Sequence, residues 1–322
     1  MRAAIHRTFG APEEVLAIDE IDRPEPGPEE VRVRIVLAAI HNHDLMTVRG
    51  QYGVLPDLPA RAGTEAMGLI DAVGADVGDR QVGQRVTASG HGVWAEEVVL
   101  PARATVPVDD EIPDEVAAQM FAMPMSALTL LDDLSLEAGE WMVQNAANGA
   151  VGRLVASLAP SRGIRVINLV RRAEAVDELA AAGIHDVVAT DDHDWRERVA
   201  ALLDGASPRA GVDSVGGSAA GDVLSLLGEG GELVVFGAMA SPRLDLAVGD
   251  VLFRQTRVRG FWGARPRVTP ARRGELAAEL RARLADGTIN LPVSSVHALD
   301  DITDAVRASG EAGRVGKVLL RP

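Results

Sequence analysis

Between residues 141 and 262 the chain alternates short Val/Ile-rich runs with longer stretches of helical period, and this alternation restricts the fold more than any other feature. WMVQNA (141–146), RVINLV (165–170), DVVAT (186–190), GVDSVG (211–216), ELVVFGA (232–238) and RVRGFW (257–262) read as strands. A helix from Gly149 to about Ser161, then RAEAVDELAAAG and DWRERVAALLDG, falls between them. Parallel strands joined by helices cross over with one hand, so such a chain winds into a doubly wound parallel sheet of the Rossmann type, an α/β fold.

The first part of the chain reads differently. VRVRIVLAA (31–39), GLIDAVG (68–74), QRVTA (84–88) and AEEVVL (95–100) are short β-type runs separated by Gly and Pro, and PEPGP (24–28) is a turn connector. Helical periodicity begins near residue 114 in DEVAAQMFAMPMSALTLLDDL. The tail after residue 268 holds an Arg-rich helix, RRGELAAELRARLADG, and a last strand, KVLLRP, and both are expected to return to the N-terminal domain. The reading is therefore a β-rich domain from 1–115 and 268–322, and a Rossmann-type domain from 116–267.

Composition excludes several classes of partner and chemistry. A net charge of −15 repels phosphate backbones, which argues against nucleic acid. No run approaches the roughly 18 apolar residues of a membrane helix, and MRAAIHRTFG has no apolar segment after its charges, so a cytoplasmic protein without a membrane partner is expected. The absence of cysteine removes disulfides, thiol nucleophiles and thiolate metal sites. Among 32 basic residues the one lysine is Lys317, and the one tyrosine is Tyr52.

The loop after the first strand of the alternating region is Asn145-Ala146-Ala147-Asn148-Gly149-Ala150-Val151-Gly152. It lacks the full G-x-G-x-x-G pattern but keeps small residues at a strand-to-helix turn, where backbone N–H groups and the helix dipole meet a pyrophosphate. Small residues also serve close helix–strand packing. The surrounding βα units favour the dinucleotide reading. Roughly 20 residues past such a loop, an acidic side chain would take the ribose 2′-OH of NAD. Here Arg171 and Arg172 follow INLV, and guanidinium forks suit the 2′-phosphate of NADPH. Arg172 also reads as a solvated helix-start residue, and Glu174 nearby is a contrary feature.

Short strands ahead of a Rossmann-type domain suggest the medium-chain dehydrogenase/reductase superfamily. Where its zinc members place a first ligand, this chain has His41-Asn42-His43-Asp44, and where they place Gly-His-Glu it has Gly63-Thr64-Glu65. On an extended segment His41 and His43 would share a face, with Glu65 the remaining candidate ligand. Two histidines without a firm third partner are read as hydrogen-bonding pocket residues, and no metal is expected.

The runs RGQYGVLPDLPARAGTEAMG (49–68), QNAANGAVG (144–152), INLVR (167–171), VDSVGG (212–217), VVFGAMA (234–240) and RGFW (259–262) resemble a narrower group over nearly the whole chain. They resemble the mitochondrial-type trans-2-enoyl thioester reductases, NADPH-dependent relatives of the quinone oxidoreductases that lack zinc. The resemblance implies a β-rich GroES-like catalytic domain beside the Rossmann-type domain, and a homodimer joined through Rossmann sheet edges. It implies that Tyr52 is the catalytic tyrosine and Arg171 the 2′-phosphate ligand. It also gives Ser126 to the nicotinamide ribose or carboxamide, and Gly237, Ala238, Met239, Phe261 and Trp262 to the nicotinamide wall. Gly216 lies in the shared VDSVGG run, and Lys317 matches a lysine that reaches the cofactor phosphates. Three departures stand out: Gly149-Ala150 in place of Ser-Gly, Met123 in place of a polar residue, and GARPRVTPARR after Trp262. The last two border the acyl site.

The chemistry so implied is hydride transfer to the β-carbon of an α,β-unsaturated carbonyl, with Tyr52 as proton donor and enolate stabiliser. The substrate would be a small molecule or an acyl thioester. Three other readings stand beside it. They are a quinone oxidoreductase, an alcohol dehydrogenase (which needs a Lewis acid that Thr64 argues against), and a non-catalytic NADPH-binding protein.

Overall fold

The computed structural model describes residues 1–322, and the chain separates into two units. Unit 1 is Met1–Ala122 with Leu291–Pro322, and unit 2 is Met123–Asn290. The N-terminal segment runs β1 (Arg2–His6), α1 (Pro12–Val15), β2 (Leu16–Glu20), β3 (Glu30–Ala39), α2 (Asn42–Val48) and β4 (Ala60–Arg61). It continues through β5 (Glu65–Val73), β6 (Arg85–Ser89), β7 (Glu97–Pro101), β8 (Thr105–Pro107) and α3 (Asp114–Ala117). The middle opens with α4 (Ala122–Asp133), β9 (Trp141–Gln144), α5 (Ala150–Leu158), β10 (Arg165–Val170), α6 (Glu174–Ala181) and β11 (Val187–Ala189). It proceeds to α7 (Trp195–Leu203), β12 (Ala210–Asp213), α8 (Ser218–Ser225), β13 (Glu232–Val235), α9 (Val248–Leu252), β14 (Arg257–Gly260) and α10 (Pro270–Ala285). The tail is β15 (Val293–Ala298), α11 (Ile302–Gly310) and β16 (Lys317–Arg321).

In unit 2 the six strands lie parallel in the order β11-β10-β9-β12-β13-β14. The chain starts in the middle, moves to one edge, then restarts beside β9 and moves to the other. Crevices for ligands open at such a reversal, at the carboxyl ends of the strands. Strands covered on both faces are expected to be largely apolar, and β9, β10, β11 and β13 are rich in buried apolar side chains, whereas β14 at the sheet edge is Arg-Val-Arg-Gly and mostly exposed. Val143, Ile167, Leu169 and Leu233 pack with Val199 of α7 and Leu224 of α8. A second cluster joins Ala147 and Val170 to Ala156 of α5 and Leu179 of α6.

In unit 1, β3 is the spine of a seven-stranded sheet ordered β15-β16-β3-β5-β6-β8, and β7 also pairs with β3. A smaller sheet is ordered β2-β1-β4. Val31, Val33 and Ile35 of β3 point into a core shared with Ile70, Trp94 and Leu320. The intervening Arg34 is exposed. Arg32 on that same outer side is nonetheless buried, where its guanidinium donates to Asp71, Glu25 and the Pro24 carbonyl.

Three elements depart from the sequence reading. The helical run from 114 is two helices, α3 and α4, separated by Ala118–Phe121. The last strand returns to unit 1, where β16 pairs antiparallel with β3, but the Arg-rich helix does not follow it. Helix α10 belongs to unit 2, tied there by Arg272 to Asp132 of α4 (2.5 Å) and by Glu279 to Arg162 (3.0 Å). The unit boundary falls after Asn290, where the sequence reading placed it near residue 268. No helix is long and apolar enough to cross a membrane.

Candidate functional site

In unit 2 the candidate residues gather at the carboxyl ends of β9, β12 and β13. Asn145, just past β9, donates through Nδ2 to Asp213 Oδ1 (2.5 Å) and accepts the Ser214 N–H (2.8 Å) through Oδ1. Asp213, fully buried at the end of β12, also accepts the N–H groups of Val215 and Gly216 (both 3.1 Å). The VDSVGG turn is thus wrapped around one carboxylate. Gly237 sits beside it, its N–H on the Asp213 carbonyl (3.2 Å), and a Cβ there would lie 2.8 Å from the Ser214 oxygen. Sequence reading missed Asp213. Part of the signal was present, because an acid between a strand and two glycines can take the N–H groups of its own turn.

Gln144 organises the same edge from within. Its Nε2 donates to the Gly152 carbonyl and to Asn168 Oδ1 (both 2.8 Å), joining β9 to α5 and β10. Gly152 is required for contact: a Cβ would come within 2.6 Å of the Ala146 oxygen and 2.7 Å of the Ala147 Cα. Helix α5 therefore lies tight on the loop, with Gly149 as its N-cap. Asn148 contributes its carbonyl to Arg153 Nε (3.1 Å), while the Arg153 guanidinium pairs with Glu178 of α6. The N–H groups of Ala150, Val151 and Gly152 open the helix and have no intrahelical acceptor, and the positive end of the dipole adds to them. This cradle fits a pyrophosphate. Arg171, exposed, and Arg172, half-buried, follow directly on β10, the strand neighbouring β9.

A second group in unit 2 includes Ser126 of α4, almost buried, and the segment after β14. A Cβ on Gly263 would meet Ser126 Oγ at 2.6 Å, so this hydroxyl lies against the Trp262–Gly263 backbone. Phe261 is buried and packs on Phe236 (ring centroids 6.0 Å apart), whereas Ala238 and Met239 are exposed. Phe261 and Trp262 also line a pocket of about 340 Å³ with Asp133, Arg259, Arg265 and Arg267. The Arg265 guanidinium lies over the Trp262 ring.

In unit 1 a buried polar cluster includes His43, whose ring faces Tyr52. His41 and His43 do not lie on an extended segment: His41 is the N-cap of α2 and His43 is in its first turn. Their rings still stack (5.1 Å, 13°), because the N-cap residue has extended backbone and leaves the helical spiral. His41 Nε2 meets Glu65 Oε2 (2.8 Å), and both residues are fully buried. Glu65 Oε1 accepts the N–H groups of Phe121 (2.7 Å) and Ala122 (3.0 Å). His41 Nδ1 is buried without a partner. Burial opposes charge on both members of this pair: it pushes Glu65 up to about 7 and His41 well below the usual imidazole range. The pair therefore gains its proton on Glu65 while the imidazole stays neutral.

Thr64 Oγ1 donates to Asp44 Oδ1 (2.6 Å), and His43 Nε2 lies 2.6 Å from the same Oγ1. Asp44, buried, takes the His41 N–H on its other oxygen (2.9 Å), closing the start of α2. The His43 ring stands 5.8 Å from the Tyr52 ring. Gly63 makes this arrangement possible: its φ of +90° and a Trp94 ring 2.2 Å from any Cβ admit no side chain, and the two next residues, Thr64 and Glu65, turn inward. Lys317 opens β16, almost buried, with Asp44 and Glu65 as its charged carboxylate neighbours, and burial lowers it to about 8. The resemblance gives this lysine to cofactor phosphates; within unit 1 its charged neighbours are Arg314, Asp44 and Glu65. Sequence reading passed over Asp44, whose place directly after His43 was the available signal.

This donor set does not fit a catalytic zinc ion. Each histidine Nε2 is hydrogen-bonded within the protein, threonine stands at 64, and no group of three His, Cys, Asp or Glu side chains converges on one point.

A parallel Rossmann-type unit with a dinucleotide cradle, in a chain that also holds a β-rich unit with a buried His–carboxylate cluster, defines a nicotinamide-dependent oxidoreductase. Residues 27–110 match the model of the alcohol dehydrogenase GroES-like domain, and residues 150–281 match that of the zinc-binding dehydrogenases. The chain is 30% identical over 318 residues to the human mitochondrial enoyl-[acyl-carrier-protein] reductase, covering 96% of this chain and 85% of that protein. It is 33% identical over 268 residues to the Arabidopsis thaliana protein of the same name, covering 81% and 72%. Its fold overlays the Escherichia coli quinone oxidoreductase complexed with NADPH, with a TM-score of 0.91, 25% identity and full coverage of both chains. The chain belongs to the medium-chain dehydrogenase/reductase superfamily, in the branch of the mitochondrial enoyl-[acyl-carrier-protein] reductases and quinone oxidoreductases.

Proposed function

We propose that this protein uses NADPH to reduce the carbon–carbon double bond of α,β-unsaturated carbonyl compounds, 2-enoyl thioesters foremost, with Tyr52 as the proton donor. The observation that carries this reading is the setting of the chain's one tyrosine. Tyr52 is half-buried beside the hydrogen-bonded His43 ring, in a loop whose Val54, Leu55 and Leu58 stay exposed. A phenol held next to a polar cluster supplies a proton, and exposed aliphatic side chains suit an acyl chain.

In unit 2 the α5 N-terminus holds the pyrophosphate, and Arg171, with Arg172, holds the 2′-phosphate. Ser126, Gly216, Gly237, Ala238, Met239, Phe261 and Trp262 enclose the nicotinamide end. NADPH supplies a hydride when bound. Charge then develops on the carbonyl oxygen of the substrate, and the Tyr52 hydroxyl stabilises it before giving its proton to the α-carbon. The enzyme acts as a homodimer. In support, β14 lies at the open edge of its sheet, and α9 with the residue after it exposes Val248, Leu252 and Phe253. Open apolar sheet edges pair with a second copy.

The test is NADPH oxidation against short and long 2-enoyl-CoA thioesters, quinones and simple aldehydes, with and without chelator. Tyr52→Phe is expected to lower enoyl turnover by roughly 10²-fold with NADPH binding unchanged. Full enoyl turnover in that variant removes Tyr52 as the acid, and loss of activity with chelator removes the metal-free mechanism. The quinone oxidoreductase likeness favours quinone reduction as a second reading. Quinone turnover preserved in Tyr52→Phe, with no enoyl turnover in the unaltered protein, would select it.

A further inference from the structure

We propose that His43, fixed by Thr64 and Asp44, positions Tyr52 and returns a proton to it after each turnover, so that unit 1 holds a carboxylate–hydroxyl–imidazole–phenol relay. The proposal rests on the enoyl reductase reading only for the direction in which the proton leaves Tyr52.

Thr64 has one hydroxyl hydrogen, and the buried Asp44 carboxylate takes it at 2.6 Å. The hydrogen in the His43–Thr64 contact, also 2.6 Å, must then sit on His43 Nε2. That bond holds the ring and leaves Nδ1 as its exchangeable position. Asp44 cannot swing away, because its second oxygen is tied to the His41 N–H at the start of α2 (2.9 Å). It also lies 3.5 Å from His43 Nε2. On the other side stands the Tyr52 ring, 5.8 Å away and tilted by 33°. The His43 side chain is 23% exposed, which opens it to solvent protons, whereas Asp44 has no such exposure. The groups facing His43 are His41 stacked at 5.1 Å, Asp44, the Glu65 carboxylate and Tyr52, with Lys317 behind His41.

The steps balance as follows. The Tyr52 O–H bond breaks as a C–H bond forms at the substrate α-carbon, which leaves a tyrosinate. The Nδ1–H of the His43 imidazolium passes to the tyrosinate oxygen, directly or through one water. Neutral His43 then takes a proton from solvent, and Thr64 and Asp44 keep their hydrogen bonds throughout.

A single tyrosine makes the test direct, since ¹³Cζ-tyrosine labelling gives one resonance. In the unaltered protein that resonance is expected to shift in a step as the imidazole titrates, and the step is expected to vanish in His43→Gln, which keeps a donor for Thr64. His43→Gln is also expected to lower kcat for crotonyl-CoA by about 10-fold or more with KM little changed. Free imidazole should restore part of that loss in His43→Ala. A Cζ titration without the imidazole step, or a His43→Gln kcat equal to that of the unaltered protein, overturns the relay. If His43→Gln fails to fold, the titration of the unaltered protein alone decides. If the unaltered protein reduces no enoyl thioester, the functional reading fails while the resonance still tests the relay.

Discussion

The buried carboxylate at position 65 predicts a pH dependence that its amide replacement should erase. Glu65 is fully buried, and burial raises it from 4.5 to about 7. A raised acid stabilises the fold fully below its unfolded value and loses that contribution as pH climbs through the folded one. Between about pH 5.5 and 7 the folded protein holds a proton on Glu65 that the unfolded chain has released. Each pH unit is then worth about 1.4 kcal/mol, so about 2 kcal/mol disappears over this interval and nothing further changes by about pH 8. His41 runs the other way: its depressed value makes its contribution fade as pH falls below 6.5. It is present in both proteins and largely cancels in the difference. Glu65→Gln keeps an oxygen for the Phe121 and Ala122 N–H groups. Its amide faces His41 Nε2, however, and forces a hydrogen onto the partnerless Nδ1. That cost is the same at every pH above 6.5. The stability difference between the two proteins should therefore fall by about 2 kcal/mol from about pH 5.5 to about pH 8, or about 4–8 °C of relative Tm for a unit of this size. Paired thermal melts at both pH values measure it. A constant difference, or one that grows with pH, refutes the reasoning, since it means that the carboxylate is held ionised in the folded state.

Three further outcomes follow from unit 2. Arg171→Ala should weaken NADPH binding by about 10- to 100-fold while leaving NADH nearly unchanged, read by fluorescence titration with both coenzymes. Asp213→Ala orphans Asn145 Nδ2 and the N–H groups of Val215 and Gly216, and should cost about 3 kcal/mol or more, seen as a Tm drop of about 6–12 °C. Gly152→Leu cannot fit against the Ala146 and Ala147 backbone, so it should abolish NADPH binding, and a coenzyme-binding, folded variant would contradict the packing.

The parallel sheet of unit 2, the strand-to-helix turn of small residues after β9 and the place of Arg171 directly after β10 were all legible in the chain alone. Each depends on short-range pattern: apolar runs at strand length, small residues at a strand-to-helix turn, and a charge directly after a strand. The two histidines were legible as a pair, and so was their role as hydrogen-bonding residues. What the chain could not give was their surroundings. Asp44 and Thr64 are 20 positions apart, and Lys317 joins them from the far end because β16 pairs with β3. Asp213 acquires its purpose only when Asn145, 68 residues away, comes alongside it. Local pattern specifies elements because backbone preference and side-chain period act within a few residues. The partner of a buried polar group is chosen by which strands pair, and pairing is a property of the assembled sheet.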